Sequence, residues 1–116
     1  MAEKEEGPGE SVPEGAAVLP EIPAELGVQP LLLAVLHAVV FLDGSDDDVV
    51  DPDAAVEAME YMAMYLQRLD GPAVQRLRED LDALVAYAKQ QQWPKENVRF
   101  FKEFLSNFGV GEGDEA

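Results

Sequence analysis

The sequence has no cysteine, which removes a disulfide framework, a zinc-thiolate site and thiol chemistry together. It has no threonine either, and its serines are Ser11 in a presumed tail, Ser45 in an acidic loop and Ser106 on the wet side of a helix. Covalent catalysis requires a nucleophile held against a base, and none of the three has a base beside it. No glycine-rich phosphate loop follows a strand, since "GPGE" and "GEGDE" both lie in the terminal stretches. An enzyme is therefore not expected, and neither is a cofactor.

Basic residues are also scarce. Eight Lys and Arg stand against 24 Asp and Glu, a formal net charge of -16. Nucleic-acid affinity comes largely from cations that displace counterions from phosphates, so binding to DNA, RNA or an anionic membrane surface is not expected. Long apolar runs are missing as well. The longest, "LLLAVLHAVVFL" at residues 31–42, falls short of the ~20 residues that span a bilayer. The N-terminal "MAEKEEGPGE" is acidic where an export signal is basic. The expectation is a cytoplasmic protein.

In a chain of 116 residues, 47% of them hydrophobic, there is room for one domain with a real core. Residues 1–29 carry Pro8, Pro13, Pro20 and Pro23 with four glycines, and seven Glu against one Lys. Such a stretch buries too little apolar surface to offset its ordering entropy, so it is expected to be disordered or loosely docked, with "VLPEIP" able to seat an apolar residue or two. A helical domain is expected over residues 30–110 and a flexible tail over 111–116.

Within 30–110 the apolar positions recur at three and four, which predicts an all-α, compact, four-helix bundle-like domain with helices at about 31–42, 52–69, 72–90 and 94–108. The first is apolar on every face apart from His37, so it should be surrounded by protein. "LHAVVFL" also suits a buried strand, but no second strand exists to pair with it. The second opens on "DPDAA", with Asp51 as N-cap, Pro52 at the first helical position and Asp53 at the favourable end of the dipole. Its polar stripe, Asp53, Glu57, Glu60 and Gln67 with Arg68, is narrow and interrupted by Met64. Val56, Met59, Tyr61, Met62, Tyr65, Leu66 and Leu69 should be covered. The third turns Val74, Leu77, Leu81, Leu84, Val85 and Ala88 inward. The fourth lines up Val98, Phe101, Leu105 and Phe108, widened by Phe100 and Phe104, and Gly109 suits the left-handed residue that closes a helix.

Against this background one stretch is conspicuous. "FLDGSDDDVVDPDAAVEAME", residues 41–60, holds eight carboxylates and no base. A calcium loop needs oxygen ligands at positions 1, 3 and 5, Gly at 6 and Glu at 12. Starting at Asp43 puts Asp48 at 6 and Ala54 at 12; starting at Asp46 puts Glu57 at 12 but Val50 at 5 and Asp51 at 6. No register fits, which leaves only an irregular divalent-ion site in the 43–53 loop as an alternative. A di-metal carboxylate site is not expected, since the single histidine is not in a Glu-x-x-His motif. His37 reads as a core or interface residue rather than a base, and an enzyme built on Glu57, Glu60 and His37 is the last option. The simplest account makes Asp43 to Asp48 a solvated loop.

Charge is nevertheless lopsided: residues 30–67 hold eight acids and no base, whereas residues 68–110 hold seven bases and six acids. Lys95, Arg99 and Lys102, together on the outer arc of the fourth helix, could answer part of that field internally. Two helices apolar nearly all round are hard to hide in so small a domain, so part of that area should meet another chain. The expected function is a small acidic helical module that binds a protein partner, with a basic one the natural complement and a homodimer a further option. By size and charge alone this is the character of immunity or antitoxin-type inhibitors and adaptors. The candidate partner-binding residues are Asp43, Asp46, Asp47, Asp48, Glu57, Glu60, Tyr61 and Met64.

Overall fold

A computed structural model describes residues 13–111; expectations for residues 1–12 and 112–116 lie outside the described residues. The fold is all-α. A 3-10 turn at Ala24–Leu26 precedes four helices: α1 at Pro30–Gly44, α2 at Pro52–Leu66, α3 at Gly71–Gln90 and α4 at Lys95–Asn107. "LHAVVFL" is helical, and no strand occurs among the described residues.

Helix ends follow local chemistry. Asp51 caps α2, its carboxylate accepting the Ala54 N–H at 2.9 Å, and Asp70 caps α3 in the same way through Ala73 at 3.0 Å. After Leu66 the backbone tightens into i→i−3 bonds from Arg68 to Tyr65 and from Leu69 to Leu66, so α2 stops three residues before the expected end. Gly109 closes α4 at φ 68°. The Val110 N–H reaches back to Leu105 and that of Gly109 to Ser106, the paired bonds of a Schellman motif. α3 ends with the same pair, Trp93 to Ala88 and Gln92 to Lys89, but its left-handed residue is Gln92 at φ 60°.

The chain divides into two units. The first comprises Met1–Glu25 and Pro30–Glu60. Its buried apolar side chains are Leu19, Ile22, Leu32, Leu36, Val39 and Ala55. Residues 13–17 are fastened to the loop after α1: the Asp46 N–H donates to Gly15 C=O at 2.8 Å, and the Ala17 N–H donates to Ser45 Oγ at 2.9 Å. The approach is close. A Cβ on Gly15 would meet Asp46 Oδ2 at 2.8 Å, and one on Gly44 would meet Ala17 Cβ at 2.9 Å. The stretch expected to be disordered or loosely docked therefore places Leu19 and Ile22, the apolar residues of "VLPEIP", and also Val28 in buried positions.

The second unit comprises Leu26–Gln29 and Tyr61–Ala116. Here α3 packs on α4, burying Val74, Leu77, Leu81, Leu84 and Ala88 from one helix and Phe101, Phe104 and Leu105 from the other. Aromatic rings run along α4, with Phe100 edge-on to Phe104 at 5.8 Å and Phe104 against Phe108 at 4.9 Å. Among the described residues, one charged group is sealed into this arc. Asp80, 6% exposed, accepts the Gln29 N–H at 3.1 Å and Arg76 Nε–H at 3.0 Å, while Arg76 Nη2 donates to Gly27 C=O at 3.2 Å. This clasp holds Gly27 to Gln29, the residues that lead into α1.

Two packing expectations are corrected. α1, expected to be surrounded, buries only Leu32, Leu36 and Val39 on one face, leaving Leu31 79% and Phe41 40% exposed. α2, expected to be mostly covered, buries only Ala55. A chain this short has too few residues to cover a second face of either helix.

Candidate functional site

The eight candidate contacts are all on the surface. Asp43 ends in the last turn of α1, and Asp46, Asp47 and Asp48 occupy the connection to α2. That connection is built as well as charged. Asp46 C=O accepts the N–H groups of Val49 and Val50, and its own N–H is held by Gly15, so the backbone is pinned while the carboxylates stay in solvent. Ser45 Oγ is engaged by Ala17, which assigns this serine to loop structure. Among the described residues no three His, Asp or Glu side chains converge as a metal-binding group.

Glu57, Glu60, Tyr61 and Met64 stand at i, i+3, i+4 and i+7 of α2, the spacing of one helical stripe. Alongside it, Val56 is 51% exposed, Tyr61 55% and Tyr65 57%. The Arg68 guanidinium lies 4.8 Å from the Tyr65 ring centroid, a cation–π contact on an exposed helix end. The outer side of α2 thus mixes two carboxylates with two tyrosines, a methionine and a valine, all in water. This is where the apolar residues expected in the core are found.

His37 lies on α1, partly buried. Desolvation lowers its pKa below the usual 6.5, opposed by the negative charge of Glu21. The carboxylate acting on the imidazole is thus Glu21, from the segment expected to be disordered or loosely docked, and not Glu57 or Glu60. Ser106 lines a cavity of about 660 Å³ with Arg78, Asp82, Phe101 and Lys102, but its Oγ–H is donated to Glu103 C=O of its own helix at 3.2 Å. Lys95, Arg99 and Lys102 are exposed and pair with no carboxylate among the described residues.

Sequence reasoning missed the Asp80 clasp, although a signal existed. Asp80 stands three after Leu77 and four before Leu84, inside the apolar arc, with Arg76 one turn earlier. No helix among the described residues is long and apolar enough to cross a membrane. No protein-family model, curated protein or solved structure matches the chain.

Proposed function

We propose that the protein is a non-catalytic interaction module whose α2 docks on a protein partner. The observation that carries this reading is the exposed side of α2, where Val56, Tyr61, Met64 and Tyr65 remain uncovered beside Glu57 and Glu60. Tyrosine supplies large contact area with a polar tip and few rotatable bonds, and methionine repacks easily, so both suit a binding surface better than a solvated one. Fully burying an exposed side chain of this size contributes about 1.5–3 kcal/mol, and these four, each about half exposed, would gain roughly half of that apiece on docking.

The acids give the partner its chemistry. Glu57 and Glu60 border the apolar residues, and Asp43, Asp46, Asp47 and Asp48 precede α2 in the chain, so a partner with a basic rim around an apolar centre is the complement. Opposite fields would speed encounter, with the aromatic contacts setting the lifetime of the complex. This is the behaviour of inhibitor or adaptor proteins, and the cytoplasm is the compartment we propose for it.

The test is a photo-crosslinking residue at position 64, with the captured proteins from the native host compared between the parent and a Tyr61→Ala/Tyr65→Ala background. One basic protein, captured by the parent and lost in the alanine background at unchanged melting temperature, is the expected outcome. Capture that is indifferent to both tyrosines refutes the docking face. For the captured partner, Asp46→Asn/Asp47→Asn/Asp48→Asn should lower the association rate and flatten its salt dependence.

A further inference from the structure

A second feature, independent of the α2 reading, lies where α3 turns into α4. A groove of about 490 Å³ is lined by Lys89, Gln92, Trp93, Lys95, Arg99 and Lys102, with Val98 at its side. No carboxylate lines it, and its four cations pair with no acid among the described residues. In a chain of net charge -16, four cations gathered around an indole and paired with no carboxylate among the described residues stand out as a local basic cluster. The backbone is also held against its preference here. Gln92 adopts φ 60° where glycine would be unstrained, and this turn brings Trp93 back toward α3, edge-on to Tyr87 at 5.6 Å.

We propose that this groove binds a short acidic segment of a protein partner, extended along α4. The spacing argues for a linear ligand. Lys95, Arg99 and Lys102 follow one another at four and three residues, so they are spread over roughly 10 Å of helix, farther than one phosphate can bridge. Alternate residues of an extended peptide are separated by about 6.7 Å, close to the one-turn spacing of the cations, so carboxylates at alternate positions would meet successive cations. The intervening side chains would lie on Trp93 and Val98. A nucleic-acid strand is also linear, but its charge continues past the groove into the field of a strongly acidic protein, whereas a peptide can confine its acids to three or four positions.

Trp93 is the single tryptophan and reports on the groove directly. The probe is a short peptide in which three glutamates alternate with leucine, titrated against the full chain at low salt while tryptophan emission is followed. The expected result is a saturable shift that weakens as salt is raised, is absent for the glutamine version of the peptide, and loses at least ~10-fold in affinity in Lys95→Glu/Arg99→Glu/Lys102→Glu. These three side chains are exposed, and single Lys95→Gln and Lys102→Gln variants, each expected to weaken binding by a smaller factor, guard against misfolding of the triple variant. Absence of a shift overturns the proposal. An equal shift with inorganic phosphate or a single-stranded oligonucleotide overturns it in favour of a phosphate site, and a shift that follows protein concentration without peptide overturns it in favour of a second copy of the chain.

Discussion

Replacing Asp80 should separate a structural clasp from an incidental surface ion pair. Its carboxylate, 6% exposed, accepts the Gln29 N–H on Oδ2 and Arg76 Nε–H on Oδ1. A hydrogen bond to a charged buried group contributes about 1.5–3 kcal/mol. The Arg76 side chain is 46% exposed, so solvent screening discounts the ion pair to about 0.5 kcal/mol. Asp80→Ala should therefore cost about 2–3 kcal/mol, most of it from leaving the Gln29 N–H without an acceptor. For a domain of this size that lowers the melting temperature by roughly 10–20 °C. Arg76→Ala loses the screened pair and the bond to Gly27 and should cost about 1 kcal/mol. Urea denaturation followed by circular dichroism gives both values, and amide exchange at Gln29 gives the location: protection lost in Asp80→Ala, retained in Arg76→Ala. An Arg76 variant as damaging as the Asp80 variant, or an Asp80→Ala cost below about 0.5 kcal/mol, would refute the assignment.

Three further outcomes are expected. Gln92→Gly should raise stability by about 0.5–1 kcal/mol, because it relieves a left-handed backbone at some entropic cost in the unfolded chain; a loss on thermal melting would mean the Gln92 side chain holds something the backbone does not. Asp51→Ala should cost about 1 kcal/mol through the lost cap on Ala54, read as a melting-temperature decrease of several degrees. His37 has a depressed folded pKa, so its contribution is fully present above 6.5 and is lost as pH falls below that value, where the unfolded chain takes up the proton first. His37→Gln should therefore flatten the fall in stability below 6.5, and a parallel curve in urea titrations at several pH values would exclude the imidazole as its source.

Much of this fold was legible because helices are written in local terms. The three-and-four spacing of Leu77, Leu81 and Leu84, the Asp51 cap before Pro52, and Gly109 after Phe108 all act within a turn or two of chain, and the structure has each where the pattern places it. The exposure of the candidate residues was legible for a different reason. Asp46 to Asp48 and Glu57 with Glu60 are charged and gain nothing from burial, so their exposure follows from composition.

What composition could not decide was which apolar residues find cover. Val56 is an aliphatic side chain like Leu19 and Ile22, yet it is half-exposed and they are buried. Burial depends on which segments reach one another across the chain, and a Pro-rich stretch with poor local propensity can still be held by a few long-range bonds such as Ala17 to Ser45. The same holds for Asp80, whose acceptor role exists only because Gln29, 51 positions away, is brought to it, and for the four cations around Trp93, which become one groove only when α3 and α4 meet. The sequence by itself determined the helices, their caps and the exposure of Asp46 to Asp48, Glu57 and Glu60. The tertiary structure alone decided which apolar face stays open and where the basic groove forms, because packing partners are chosen by distance in space, which local sequence does not encode.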